Sequence, residues 1–119
     1  MKGHILIVED HKDSRELLKV LLGSSGFQVV TTDTLAEGLQ LVKKSSFSLC
    51  IFDNLLPDRT EVELCKEIRN FNRKIPIVCY SGAARGIDVE EGLRTGAQAY
   101  LIKPIGFERL IHCIGELFA

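Results

Sequence analysis

The chain has 119 residues, 45% of them hydrophobic, which is the size of one domain with enough apolar side chains for a sizeable core. Its 15 lysines and arginines nearly balance its 16 aspartates and glutamates, and the net charge is −1. This balance provides no general attraction for nucleic acid or an anionic membrane, so we expect no direct nucleic-acid binding. No apolar stretch is long enough to span a membrane, and we expect a cytoplasmic protein with no membrane contact.

The cysteines indicate a reducing environment. They are far apart in sequence, and no two form a C-x-x-C pair. We therefore interpret them as reduced core residues rather than as a disulfide or a zinc site. The four are Cys50, Cys65, Cys79 and Cys113.

The first half of the chain alternates short apolar runs with amphipathic stretches. The runs predict strands at 4–8, 27–31 and 49–53, and the stretches predict helices at 14–22 and about 34–44. In the first helix Leu17, Leu18, Leu21 and Leu22 recur at helical spacing. Thr34 and Glu37 form a capping-box pattern that would begin the second helix.

The second half repeats this alternation. It predicts helices at 60–70, 88–96 and 107–118 and strands at 75–80 and 99–102. Arg69, Arg73 and Lys74 form a small basic group that we interpret as a solvated helix end. Apolar strands separated by helices predict a parallel sheet covered on both faces. The fold class is therefore α/β, a doubly wound five-stranded parallel sheet with a (βα)5 pattern, in one domain spanning 1–119.

Polar side chains occur where four of the predicted strands end. Glu9 and Asp10 follow the first strand, Asp53 ends the third, Ser81 follows the fourth and Lys103 follows the fifth. In doubly wound sheets, ligands bind beyond the carboxyl ends of the strands. If the first and third strands are neighbours, three carboxylates converge there beside a hydroxyl and an amine.

Three crowded carboxylates repel one another unless a proton or a cation neutralises them. A ligand set made only of oxygens suits Mg²⁺, and no histidine or cysteine joins it to favour zinc. A carboxylate beside Mg²⁺ can attack phosphorus and form an acyl phosphate. An ammonium and a hydroxyl would then hold the phosphoryl oxygens, so the set is complete for phosphoryl transfer.

With these residues in this order, the chain resembles the response regulator receiver family of two-component signalling over essentially its whole length. The matching residues are Glu9, Asp10, Asp53, Pro57, Ser81, Tyr100, Lys103 and Pro104. The resemblance implies a flavodoxin-like strand order 2-1-3-4-5. It also implies that Asp53 is the phosphoacceptor, that Ser81 and Lys103 are catalytic, and that Ser81 and Tyr100 act as a switch.

The resemblance further implies Mg²⁺ held by Glu9, Asp10, Asp53 and the backbone carbonyl of Leu55. A histidine kinase or a phosphotransfer protein would donate the phosphoryl group. Phosphorylation would switch the face formed by the fourth helix, fifth strand and fifth helix, which would act on a downstream effector domain or a partner protein. A transient dimer is also implied.

Three residues depart from the family pattern. Glu61 occupies a position where the family commonly has glycine, Asn54 one where an apolar residue is usual, and Glu9 one where aspartate is commoner. These departures affect the loop geometry and the detail of the metal site.

Two alternative functions are considered. A pseudo-receiver that binds partners without phosphorylation stays open, although Asp53 and Lys103 count against it. A small enzyme such as a phosphatase or nucleotide-binding protein lacks support, since the sequence has neither phosphate-binding glycine motif and no second acid two residues after Asp53. For single residues, Glu9 and Asp10 could simply cap the first helix, and Tyr100 could be a packed aromatic.

Overall fold

The structure is a computed structural model and describes residues 3–52, 61–72, 74–81, 94, 99–102 and 107–117. The elements within these ranges are β1 (His4–Val8), α1 (Lys12–Ser24), β2 (Gln28–Thr32), α2 (Leu35–Lys44), β3 (Leu49–Phe52), α3 (Glu61–Phe71), β4 (Ile77–Ser81), β5 (Ala99–Ile102) and α4 (Phe107–Leu117). The helix predicted at 88–96 lies outside the described residues apart from Arg94. The complete (βα)5 count therefore stays a prediction.

The strands form one parallel sheet in the order β2-β1-β3-β4-β5. β1 lies between β2 and β3, and its last residue, Val8, pairs with Thr32 on one side and Phe52 on the other. The parallel α/β class predicted from the apolar runs is confirmed. In a sheet of this order, the strand order reverses between β1 and β3, which is where such folds bind ligands.

Side chains of β1 alternate between two cores, one on each face of the sheet. Leu6 and Val8 point to one face, and Ile5 and Ile7 to the other. The first core also contains Leu35, Leu39 and Val42 of α2 and Cys65 and Ile68 of α3. The second contains Leu18 and Leu22 of α1 and Leu110 and Ile114 of α4. In the described part of the chain, no helix has both the length and the apolar character needed to cross a membrane.

α1 is two residues longer at each end than predicted. It ends where the backbone N–H of Ser25 donates to the carbonyls of Leu21 and Leu22, and Gly26 follows with a φ of 97°, which favours glycine. Of the four leucines at helical spacing, Leu18 and Leu22 are buried, whereas Leu17 is 48% exposed. Successive helical residues are about 100° apart, so burial of Leu18 turns Leu17 outward.

Two features position α2 against β1. Its N-cap is as predicted: Thr34 Oγ1 accepts a hydrogen bond of 3.3 Å from the backbone N–H of Glu37. Gly38 then faces the sheet, and a Cβ atom built on it would lie 2.9 Å from Val8 Cγ2. Because that distance is shorter than real Cβ contacts, glycine allows α2 to approach the end of β1.

The turn from α3 to β4 is held by Arg69, which is half-buried. Its Nη1 atom donates to the carbonyl oxygens of Asn72 at 3.1 Å and Ile75 at 2.8 Å. Asn72 Oδ1 accepts from the backbone N–H groups of Lys74 and Ile75. The interpretation as a solvated helix end is therefore wrong for Arg69, although it holds for the exposed Lys74; Arg73 lies outside the described residues.

Cys50, Cys65 and Cys79 are buried, as predicted for core residues, whereas Cys113 is only partly buried, and none of the four forms a disulfide. Cys50 in β3 and Cys65 in α3 share the first core and are fully buried. Burial raises the pKa of the Cys50 thiol from 9.0 to about 12, while the nearby Arg69 guanidinium acts in the opposite direction. The folded protein therefore holds this thiol protonated over a pH range in which an unfolded chain releases the proton.

Folding stability should fall as the pH rises from about 9 toward about 12, because the unfolded state alone loses the Cys50 proton. At one pH unit above the unfolded pKa, this linkage amounts to about 1.4 kcal/mol. Urea unfolding at pH 8 and pH 10 should therefore show a larger loss of stability for wild type than for Cys50→Ala. Cys113→Ala is the control and should keep most of the pH dependence, since Cys113 is only partly buried. Equal pH dependence in wild type and Cys50→Ala would contradict the assignment.

Candidate functional site

The carboxyl ends of β1 and β3 lie side by side. Val8 and Phe52, the last residues of the two strands, are partners in the parallel register. Glu9 and Asp10 directly follow Val8 in the chain, and Asp53 directly follows Phe52. Consecutive Cα atoms are about 3.8 Å apart, so Glu9 lies directly at the end of β1.

Glu9 is buried and Asp10 is exposed. The Glu9 residue is 2% exposed, its backbone N–H donates to the Thr32 carbonyl at 3.0 Å, and its own carbonyl accepts from Arg15 Nη1 at 3.0 Å. A charged carboxylate is costly to bury unless hydrogen bonds or a positive charge compensate it. The pair thus presents one enclosed and one solvent-facing carboxylate at the end of β1.

The other predicted site residues are partly described. Ser81 ends β4 and pairs with Ile102, the last residue of β5, while Tyr100 lies within β5 opposite Cys79. Lys103 follows Ile102 in sequence but, like Asp53 and Leu55, it lies outside the described residues. Because β1, β3, β4 and β5 are parallel, their carboxyl ends lie along the same side of the sheet. The structure brings these strand ends together and leaves the roles of the side chains as predictions.

Glu9 and Asp10 fit part of a Mg²⁺ site. Both supply oxygen atoms, and protein-bound Mg²⁺ usually takes one or two carboxylates and keeps several waters. Over the described ranges no group of three or more His, Cys, Asp or Glu side chains could hold a metal ion. The third predicted carboxylate, that of Asp53, belongs to the part of the chain outside those ranges. The carboxylate oxygens of Glu9 and Asp10 are ligands of the type that a hard cation prefers.

The sequence reasoning missed Arg15. This half-buried residue of α1 lies six positions after Glu9, and its guanidinium contacts the peptide that joins Glu9 to Asp10. The spacing carries no recognisable signal, because an arginine near the start of a helix usually points into solvent. Only the path of the loop between β1 and α1 brings the two groups together.

Comparison with known protein families identifies this arrangement. A family model of the response regulator receiver domain matches residues 5–115. The chain belongs to this family. Receiver domains are signalling modules of two-component response regulators, so the family predicted from the strand-end residues is confirmed.

Several curated regulators carry a similar receiver segment. The transcriptional regulatory protein GltR of Pseudomonas aeruginosa is 36% identical over 115 residues, which cover 95% of this chain and 48% of that protein. The cell cycle response regulator CtrA of Brucella ovis is 34% identical over 107 residues, covering 90% of this chain and 46% of that protein. The chain therefore spans about half the length of these relatives.

Solved receiver structures share the parallel α/β fold of this chain. A CheY-like response regulator receiver domain protein from Methanospirillum hungatei JF-1 has a TM-score of 0.93 and 30% identity, covering 97% of this chain and 92% of that one. A two-component response regulator from Clostridium difficile has a TM-score of 0.91 and 27% identity, covering 96% and 93%. Both support the flavodoxin-like parallel α/β fold of receiver domains.

Proposed function

We propose that this receiver domain is phosphorylated on Asp53 by a histidine kinase or a phosphotransfer protein. The observation that carries the proposal is the pairing of Val8 with Phe52, which are followed in the chain by Glu9, Asp10 and Asp53. In the sequence, three carboxyl residues thus directly follow the ends of two neighbouring strands. Doubly wound folds bind their ligands beyond the carboxyl ends of the strands.

The reaction is a phosphoryl transfer between two nucleophiles. A carboxylate oxygen of Asp53 forms a bond to phosphorus, and the bond from phosphorus to the donor's histidine nitrogen breaks, leaving its electron pair on nitrogen. Enzymes promote such transfers mainly by positioning and by neutralising charge on the phosphoryl oxygens. We assign that neutralisation to the Lys103 ammonium and the Ser81 hydroxyl.

The proposed metal site consists of Glu9, Asp10, Asp53 and the backbone carbonyl of Leu55. When bound, Mg²⁺ supplies positive charge that reduces the repulsion between these carboxylates and the incoming phosphoryl group. Glu9 has one methylene more than the aspartate usual in the family, and its burial supports a role within an enclosed site. Its carboxylate binds the ion directly or through a water molecule.

Mg²⁺ titration tests the metal site. Asp10→Asn removes a negative oxygen ligand, so Mg²⁺ should bind this variant at least about tenfold more weakly than wild type. The affinity can be measured from the NMR shifts of residues 9–11 in unphosphorylated protein. Glu116→Gln, which changes an exposed acid on α4, is the control and should bind Mg²⁺ like wild type. Equal affinity in wild type and Asp10→Asn would reject the site.

The proposed output involves Ser81 and Tyr100. Phosphorylation adds a charge of roughly −1.5 to −2, and movement of the Ser81 hydroxyl toward the new oxygens would leave space for the Tyr100 ring. We propose that this switches a face formed by the predicted helix at 88–96, which completes the (βα)5 pattern, together with β5 and α4.

A phosphoryl mimic should shift NMR signals of that face in wild type but not in Ser81→Ala. Equal shifts in both proteins would show that the coupling is absent.

The family and the relatives support the proposed partners. We propose that the domain acts in the cytoplasm, without binding nucleic acid itself, on an effector domain or a partner protein, with transient dimerisation. Regulators such as GltR are about twice as long as this chain, which supports an effector beyond the receiver. A pseudo-receiver working without phosphorylation is the alternative, and phosphorylation of Asp53 decides between the two.

A further inference from the structure

Arg15 connects α1 to the end of β1. The backbone N–H of Arg15 donates to the His11 carbonyl at 3.0 Å, so the residue is held in the first turns of the helix. From there its Nη1 atom reaches back across six residues to the Glu9 carbonyl oxygen, also at 3.0 Å. A hydrogen bond from a charged donor is stronger than one between neutral groups.

Glu9 is consequently held at both of its backbone groups. Its N–H donates to Thr32 at the end of β2, and its carbonyl accepts from Arg15 on α1. The peptide bond between Glu9 and Asp10 is planar, so fixing the carbonyl also fixes the direction in which the chain enters Asp10. The two hydrogen bonds therefore define the main chain from which both carboxylates of the acidic pair project.

We propose that Arg15 is a positioning residue for the Mg²⁺ site, an inference that rests on the function proposed above. By holding the Glu9–Asp10 peptide, it presents the two carboxylates to the ion in one arrangement, so that binding does not have to order the loop. Groups that orient metal ligands commonly contribute 10- to 100-fold to metal affinity. The guanidinium fork is preorganised for such a contact, whereas a lysine ammonium lies on a flexible stem.

Arg15 also brings a permanent positive charge close to the acidic pair. Charge alone would act against Mg²⁺ binding, because two cations repel each other. Positioning and charge thus affect Mg²⁺ affinity in opposite directions. The Arg15→Lys substitution separates the two effects, because it keeps the positive charge and removes the planar guanidinium group.

Arg69 provides a matched control at the other end of the strands, next to the amino end of β4. It is also a half-buried helix arginine whose Nη1 holds a turn through backbone carbonyls, those of Asn72 and Ile75. Arg69→Lys should therefore lower the stability to urea in the way that Arg15→Lys does. It should leave Mg²⁺ binding unchanged, since the turn it holds precedes β4 at the amino end of the strand.

The experiment measures Mg²⁺ affinity by NMR for unphosphorylated wild type, Arg15→Lys, Arg69→Lys and Asp10→Asn. We expect Arg15→Lys to bind Mg²⁺ about tenfold more weakly than wild type and Arg69→Lys to stay within about twofold of it. Hydrogen exchange gives a second measurement without the metal. The Glu9 amide should exchange about tenfold faster in Arg15→Lys, while the amides of Ile5 to Val8 keep their protection.

Each outcome has a distinct meaning. Arg15→Lys with the affinity of wild type, alongside weaker binding by Asp10→Asn, overturns the role of Arg15 and leaves the proposed metal site intact. Equal weakening in Arg15→Lys and Arg69→Lys also overturns it, because a general loss of stability would then explain both. A wild type that binds no Mg²⁺ overturns the proposed metal site and this inference together.

Discussion

Asp53→Asn should take up no phosphoryl group from acetyl phosphate and Mg²⁺, whereas wild type should gain the mass of one. The side-chain amide has no negative charge and is a poor nucleophile for phosphorus, so the bond to the acceptor oxygen does not form. Intact-mass spectrometry measures the gain directly. Omitting Mg²⁺ should strongly reduce labelling of wild type, because the charges of the carboxylates and the phosphoryl group would then repel each other.

Asp33 provides the control for this experiment. It directly follows Thr32, the last residue of β2, so it leaves the same edge of the sheet as the proposed acceptor. Asp33→Asn should be labelled like wild type. Equal labelling of wild type and Asp53→Asn would refute the acceptor assignment. A wild type that is not labelled at all would favour the pseudo-receiver.

Phe52→Ala is expected to lower the free energy of unfolding by about 3 to 5 kcal/mol. Phe52 is fully buried in the first core, and its strand is flanked by β1 and β4, so the structure has little room to close around the cavity. Domains of this kind are stable by about 5 to 15 kcal/mol in total. The substitution should therefore unfold a substantial share of the protein at low urea concentration.

Val20→Ala is the corresponding control on the surface. Val20 in α1 is 63% exposed, so its truncation should change the free energy of unfolding by no more than about 0.5 kcal/mol. Urea unfolding followed by circular dichroism measures both variants. Similar losses for the two proteins would mean that burial does not determine the contribution of Phe52.

The sheet could be predicted because a strand buried on both faces has a nearly continuous run of apolar residues. β1 and β3 have apolar residues at almost every position, and the predicted strand at 4–8 coincides with β1. Helix ends were less predictable. The end of α1 depends on backbone hydrogen bonds around Ser25 and on the left-handed conformation of Gly26, which side-chain periodicity does not show.

The acidic pair could be predicted because its place in the chain, just after an apolar strand, determines its place in the fold. The two arginine contacts could not. Arg15 and Arg69 each bind backbone carbonyls, and every residue type has a carbonyl, so the sequence contains no matching partner to recognise. Their roles depend on the path of a turn, which becomes known only from the folded chain.

The close approach of α2 to β1 has an evolutionary consequence. A side chain at position 38 would compete with Val8 Cγ2 for the same space, so neither position can enlarge independently. Among related receivers, alanine or a larger residue at position 38 should accompany a smaller residue at position 8. Position 8 is the last residue of β1 and immediately precedes the acidic pair. This covariation would therefore indicate that the position of the end of β1, from which the pair extends, is under selection.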